Sequence, residues 1–144
     1  GCDLIVMEEQ ARFALPEINV GVLADAASIK LRRRIPYHVA VDMLMTGRWM
    51  DAAEAKHWGL CNYLVPKGQA LTRARELARQ LAAGPPLLFP AIKQLLRHTE
   101  MVAEHPAFEL HDALSAVQKV LRSDDLLEGA RAFAEKRKPE WKGR

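Results

Sequence analysis

The sequence predicts an α/β fold whose second half is entirely helical. Apolar runs at Cys2–Met7 and Leu60–Val65 are typical of buried strands, whereas later segments repeat apolar residues with the 3.6-residue period of a helix. The change falls near Pro66, and 144 residues is about the length of one domain. We therefore divide the chain into residues 1–66, part of an α/β core, and residues 67–144, a helical lobe that packs its apolar faces.

Local signals place the remaining elements in chain order. A second short strand is predicted at Ala11–Leu15, followed by a loop at residues 16–35. Helices are predicted at Tyr37–Thr46, Gln69–Ala83, Leu87–Arg97, Pro106–Arg122, and from Ser123–Asp125 to about Lys138. Between the first two of these helices, Asp51 and Glu54 have the spacing of a capping box, which predicts a short helix ending before Gly59.

Composition excludes several classes of protein. Hydrophobic residues make up 49% and charged residues 27%, as in an ordinary globular protein. No apolar run approaches the length of a membrane span, and the start lacks the features of a signal peptide. Two cysteines are too few for a disulfide framework or a Cys-rich zinc module. We therefore expect a cytoplasmic protein with no membrane partner.

Basic residues are concentrated in two places. Residues 129–144 carry a net charge of +4, and a second cluster lies at Lys30–Arg34. Either could contact an anionic ligand, although a solvated helix end and a solvated loop explain the same pattern. Nucleic-acid binding is the weakest alternative, because the sequence has no aromatic stacking array and no recognised binding motif.

One carboxylate stands out as a candidate for proton transfer. Glu17 follows Leu15-Pro16 and is flanked by apolar residues, a setting that can raise the pKa of a carboxyl group, although an exposed turn glutamate fits the same sequence. Asp25 is a candidate either to cap a helix or to face a substrate, and capping is favoured. The five histidines lack metal-face spacing, no nucleophile motif occurs, and no metal is expected.

Four segments together resemble the enoyl-CoA hydratase/isomerase (crotonase) family over essentially the whole chain. They are Cys2–Val6, Phe13–Gly21, Met45–Leu60 with Val65-Pro66, and Ser123–Arg137. The closing residues 133–144 are most similar to those of carnitinyl-CoA dehydratases within that family. The resemblance implies the C-terminal half of a spiral of ββα turns, followed by a helical lobe that assembles as a homotrimer or hexamer.

The resemblance also implies the chemistry. It makes Glu17 the general acid/base in the hydration of an enoyl-CoA or the dehydration of a 3-hydroxyacyl-CoA. Asp25, Phe133, Lys136 and Lys138 become candidates for binding the acyl-CoA substrate. Phe133 and Lys136 match family positions that contact the adenine and phosphate of CoA. No cofactor is expected apart from the coenzyme A of the substrate itself.

Two departures from the family pattern limit this expectation. A family member has about 260 residues, and the resemblance places a second glutamate and both oxyanion-hole amides before Gly1. The chain alone is therefore expected to be inactive. In addition, Ala27 and Ser28 replace two glycines of the family pattern, which could alter the pocket. The alternative is an inactive crotonase-fold fragment or paralogue that serves as an oligomerisation or CoA-binding module.

Overall fold

The computed structural model describes residues 2–144 and divides them into two compact units. The first unit ends at Leu77 and the second is Ala78–Arg144. The boundary between the two units falls within helix α4 (Ala70–Ala82). The assignment of residues 1–66 and 67–144 to core and lobe stays a prediction.

Two small sheets organise the first unit. Strand β1 (Val6–Glu8) pairs in parallel with β4 (Tyr63–Val65), with Val6 opposite Tyr63. Strand β2 (Arg12–Phe13) pairs antiparallel with β3 (Met50–Asp51). All three predicted strands are present but shorter than predicted, while β3 was not predicted.

Helices fill the rest of the first unit. Residues 16–35, predicted as a loop, contain a 3₁₀ helix at Pro16–Val20, α1 at Asp25–Lys30 and a second 3₁₀ helix at Leu31–Arg33, so that prediction was wrong. Helix α2 spans Tyr37–Thr46 as predicted, and α3 spans Ala52–His57. Their apolar faces enclose a core around a set of buried side chains: Met7, Ile35, Ala40, Met43, Met50, Ala52, Ala55 and Cys61.

The second unit is helical. It contains α5 (Leu88–Thr99), α6 (Glu104–Ala113), α7 (Ser115–Leu121) and α8 (Asp124–Ala134). One helix was predicted over Pro106–Arg122, but the chain is extended at the buried Leu114 and divides it into α6 and α7. Leu114 packs with Ala91 and Val117 in the core of this unit.

Two helices begin at a residue whose side chain caps the first turn. Asp51 accepts a hydrogen bond from the Glu54 backbone N–H at 2.8 Å, as an N-cap does, and Ser123 accepts one from Leu126 N–H at the start of α8. Helix α8 ends at Ala134, four residues before the predicted end. No helix among residues 2–144 combines the length and apolar character needed to cross a membrane.

Candidate active site

The 3₁₀ helix that carries Glu17 has a tightly fixed backbone. Pro16 occupies its first position, where a fixed φ favours the turn. The helix ends at Gly21, and the Val22 N–H donates a 3.1 Å hydrogen bond to the Glu17 carbonyl oxygen. The sequence Leu15-Pro16-Glu17 therefore places the candidate acid/base in a hydrogen-bonded turn rather than in an irregular loop.

One oxygen of the Glu17 carboxylate is buried without a hydrogen-bond partner. Among residues 2–144, Oε2 of Glu17 is the buried side-chain polar atom for which the structure provides no partner. Burying an unpaired acceptor costs free energy, so such atoms are rare in folded proteins. The residue is half-buried as a whole, and its unpaired oxygen can accept a hydrogen bond that residues 2–144 do not supply.

Helix α2 packs against this turn through Gly47, the residue that ends the helix. Gly47 has φ of +64° and donates its N–H to Met43 O. A Cβ placed on Gly47 would lie 3.0 Å from Cγ2 of Ile18 and 3.2 Å from Nδ2 of Asn19. The Glu17 turn and the end of α2 are thus in direct contact.

Arg48, the next residue, joins α2 to α3. Its guanidinium donates to both carboxylate oxygens of Glu54, at 2.8 and 2.6 Å, and its Nε bonds the carboxylate of Asp42. The hydrogen bonds from Arg48 lower the pKa of Glu54. Glu54 therefore pairs with Arg48 and does not reach back to the cap N–H as the capping-box spacing predicted. Arg48 was not among the predicted functional residues.

The structure contradicts the prediction that Asp25 caps a helix. The N-cap of α1 is Ala24, with no side-chain cap hydrogen bond, and Asp25 is the exposed first residue of the helix. An acidic residue there interacts favourably with the helix dipole but does not cap it. Ala27 and Ser28 are both helical, so neither adopts the positive φ that would require a glycine.

The candidate CoA-binding residues lie together where α8 ends. Phe133 is 88% exposed, and Lys136 and Lys138 are also exposed. The Arg137 N–H donates to Ala132 O and the Lys136 N–H to Phe133 O, the pattern of a left-handed helix cap. Lys136 has φ of +54° and is the one non-glycine residue with positive φ among residues 2–144.

Glu128 holds the chain after this cap. Its carboxylate accepts two hydrogen bonds from the Arg137 guanidinium, at 2.6 and 3.0 Å, and a third from the Glu140 N–H at 2.9 Å. The Arg137 hydrogen bond is the main cause that lowers the pKa of Glu128 to about 2. Helical periodicity gives no signal for a pair nine residues apart, so the pairing of Glu128 with Arg137 was not predicted.

The C-terminal residues fold back along α8. Asp125, almost fully buried, accepts hydrogen bonds from the N–H groups of Lys142 and Gly143 at 2.7 and 2.9 Å. The Asp124 N–H donates to the Arg144 carbonyl oxygen at 2.7 Å. The basic tail is therefore an ordered strap on α8, and the backbone around Lys136 and Lys138 is fixed at both ends.

Glu17 and Asp25 belong to the first compact unit, and Phe133, Lys136 and Lys138 to the second. Within residues 2–144, no group of three or more His, Cys, Asp and Glu side chains has a geometry that could hold a metal ion.

Burial raises the pKa of the Cys61 thiol, which lies in the core of the first unit. Its surroundings are those of a packing residue rather than an activated nucleophile.

Comparison with known proteins identifies the family. The family model described as enoyl-CoA hydratase/isomerase matches residues 1–144. The chain is 42% identical over 145 residues to the carnitinyl-CoA dehydratase of Proteus mirabilis, covering 99% of this chain and 56% of that protein. It is 44% identical over 145 residues to enoyl-CoA hydratase EchA19 of Mycobacterium tuberculosis, covering 100% of this chain and 54% of that one. The chain spans a little over half the length of these relatives.

Solved structures agree with the sequence comparison. An enoyl-CoA hydratase from Mycobacterium tuberculosis superposes with a TM-score of 0.91 at 34% identity, covering 99% of this chain and 56% of that one. The enoyl-CoA hydratase from Bacillus anthracis also gives 0.91, at 30% identity, with 99% and 55% covered. The two small sheets and the helices are therefore arranged as in crotonase-fold enzymes, and the chain belongs to the enoyl-CoA hydratase/isomerase family.

Proposed function

We propose that the full gene product adds water to an enoyl-CoA or removes it from a 3-hydroxyacyl-CoA, as a carnitinyl-CoA dehydratase-like enzyme. In hydration, the hydroxyl group bonds to C3 and a proton to C2 as the C2–C3 double bond is lost. The observation that carries the proposal is the unpaired buried oxygen of Glu17, in the segment that matches the family's catalytic glutamate.

Glu17 is the proposed general acid/base. A positioned carboxylate with a free acceptor oxygen can take a proton from water in one direction and return it in the other. The resemblance assigns the second glutamate and the thioester oxyanion hole to residues outside this sequence. We accordingly propose that residues 1–144 alone give no turnover, because nothing else would stabilise the enolate oxygen. A cytoplasmic location is part of the same proposal.

The end of α8 is proposed to hold the CoA moiety. Lys136 and Lys138 supply ammonium groups for phosphate, and Phe133 supplies an exposed ring for the adenine. Among the described residues, the structure records no partner for the Lys136 ammonium, whereas Arg137 and Arg144 pair with Glu128 and Asp124. Asp25 is proposed to contact the substrate from the start of α1.

Assembly as a homotrimer or hexamer is proposed from the surface of each unit. Large apolar side chains that are more than 60% exposed occur in both units: Val20, Leu23, Ile29, Met45, Leu96, Met101, Phe108, Leu127 and Phe133. Exposed apolar area of this kind marks interaction surfaces. The same residues favour the second candidate function, a non-catalytic oligomerisation or CoA-binding module.

Glu17→Gln in the full gene product tests the catalytic proposal. The assay follows the loss of ultraviolet absorbance when crotonyl-CoA is hydrated. We expect kcat to fall by ~10²–10⁴-fold, because the amide cannot exchange the proton. Glu9→Gln, at an exposed glutamate with no proposed role, is the control and retains wild-type kcat. Near-normal turnover by the Glu17 variant would refute the assignment.

Measurements on the wild-type protein distinguish the second candidate function from the catalytic one. If the full gene product forms trimers and binds CoA in equilibrium dialysis but hydrates no enoyl-CoA, the module function replaces the catalytic one. Sedimentation equilibrium gives the oligomeric state in the same buffer. Turnover by the wild-type protein together with its loss in the Glu17 variant supports the enzyme.

A further inference from the structure

We infer that Gly47 is a positioning residue for Glu17, a role that rests on the proposed function. Its missing side chain leaves room for the turn that carries the carboxylate. Residues near an active site that touch neither substrate nor reacting atoms can still set the rate through the geometry they impose. Gly47 is such a residue, because it lies against residues that precede and follow Glu17 in the turn.

The residues that lie closest to Gly47 are found on both sides of Glu17 in the sequence. A Cβ on Gly47 would lie 3.0 Å from Ile18 Cγ2, 3.2 Å from Asn19 Nδ2 and 3.5 Å from the Leu15 carbonyl oxygen. The first two distances are closer than ordinary van der Waals contact between heavy atoms. A methyl group at Gly47 must therefore push the side chains of Ile18 and Asn19 away by a few tenths of an ångström, and Glu17 precedes both residues in the same 3₁₀ helix.

Part of this push reaches Glu17 through the backbone of its turn. Pro16 fixes the start of the 3₁₀ helix, and the Val22 N–H bond to the Glu17 carbonyl oxygen fixes its end. A displacement of the Ile18 and Asn19 side chains is therefore shared with the short segment between these two points. A shift of ~1 Å in a catalytic group can cost on the order of 10²-fold in rate, and the smaller shift here should cost about 10-fold.

Gly59 provides a matched control. It also has a positive φ, +77°, but a Cβ there would meet nothing within 4 Å. Gly47→Ala and Gly59→Ala therefore carry the same kind of backbone penalty, because alanine disfavours positive φ in both places. They differ in the contact with the Glu17 turn, which Gly47→Ala alone creates.

The test compares steady-state kinetics of crotonyl-CoA hydration by the full gene products. We expect Gly47→Ala to lower kcat by at least ~10-fold with KM changed by less than about twofold, and Gly59→Ala to leave kcat unchanged. Equal losses of kcat in the two variants, or wild-type kcat in Gly47→Ala, would overturn the inference. Far-ultraviolet circular dichroism checks that both variants are folded.

A compensating substitution completes the test. Ile18→Ala removes the Cγ2 atom that lies closest to the new methyl group, and Ile18 is partly exposed, so the single variant should remain active. We expect the double variant Ile18→Ala/Gly47→Ala to recover most of the lost kcat, and to recover folding if Gly47→Ala alone is unfolded. Absence of recovery contradicts the inference.

Failure of this inference and failure of the proposed function give different results. If Glu17→Gln lowers kcat but Gly47→Ala does not, Glu17 remains the acid/base and only the positioning role is wrong. If Glu17→Gln retains wild-type kcat, the proposed function itself fails, whatever the glycine variants show.

Discussion

The indole ring of Trp141 lies against the backbone of Gly129 in the middle of α8. A Cβ on Gly129 would come within 3.3 Å of Cη2 and 3.5 Å of Cζ3 of the ring. The glycine therefore lets the C-terminal strap approach the helix, at the cost of helix propensity. Together with Asp125 and Glu128, this contact fixes the strap at three levels of α8.

Gly129→Ala should reveal that contact through its dependence on Trp141. In a Trp141→Ala background, the alanine should stabilise the protein by roughly 0.5–1 kcal/mol, because it is the better helix former. In the presence of Trp141 the gain should be smaller or reversed, since the methyl group presses on the ring. Urea unfolding of the four proteins measures the difference. Equal gains in both backgrounds would show that Trp141 does not restrict Gly129.

Glu128 should make stability depend on acid pH. Its pKa is lowered from 4.5 to about 2, so the folded state favours the charged carboxylate. The stabilisation is then fully present above pH 4.5 and is lost as the pH falls toward about 2. Glu128→Gln should lower Tm near neutral pH, and the difference from wild type should shrink across this window.

Differential scanning calorimetry at several pH values measures this effect. Glu128→Gln in an Arg137→Gln background is the matched control, because the Arg137 hydrogen bond is the main cause that lowers the pKa of Glu128. In that background the Tm difference that Glu128→Gln makes should vary much less over the same window. A Tm difference for Glu128→Gln that stays constant in the wild-type background would contradict the assignment.

Lys136→Gly should separate stability from CoA binding. A non-glycine residue in the left-handed region costs about 1–2 kcal/mol, so glycine should stabilise the cap at the end of α8. The same substitution removes the ammonium proposed to bind phosphate, and KM for an enoyl-CoA should rise by about 10-fold. Lys136→Arg keeps the charge and the strain, and is the control. A Lys136→Gly protein that is less stable than wild type would refute the strain argument.

Local sequence signals predicted the elements that local forces stabilise. Helix α2 was predicted with its observed bounds, because Pro36 precedes it and Gly47 follows it. The cap at Asp51 was also correct, since such a cap requires only its own side chain and a backbone N–H three residues later. The family and fold, identified from motifs, are confirmed by the comparisons.

The break between α6 and α7 could not be predicted from such signals. Gln94, on α5, accepts a hydrogen bond at 2.9 Å from the Ala116 N–H in the first turn of α7. The acceptor that satisfies this helix start therefore lies 22 residues away in sequence. Leu114 occupies the break because its side chain is needed in the core. Both causes are tertiary.

Some residues of the candidate site were predicted and others were not, because only some of them are marked by their neighbours in the sequence. Glu17 was found because its apolar neighbours and the family motif mark it directly. Helix α1 was considered only through Asp25 as a possible cap, because its six residues bury no side chain and so show no helical hydrophobic pattern. Gly47 lies against the Glu17 turn and Glu128 binds Arg137, and no local spacing indicates either contact, because each joins residues distant in sequence.

The parallel pairing of β1 with β4 has a consequence for the order of folding. Val6 pairs with Tyr63, and the Ile5 N–H donates a hydrogen bond to the side chain of Asn62, which lies 57 positions later in the sequence. During synthesis, the first strand leaves the ribosome long before its partner exists. Closing so large a loop before any contact rewards it is slow, so helices α2 and α3 should form first and bring the strand ends together. Among residues 2–144, β1 is therefore without its partner strand β4 for nearly sixty residues of translation.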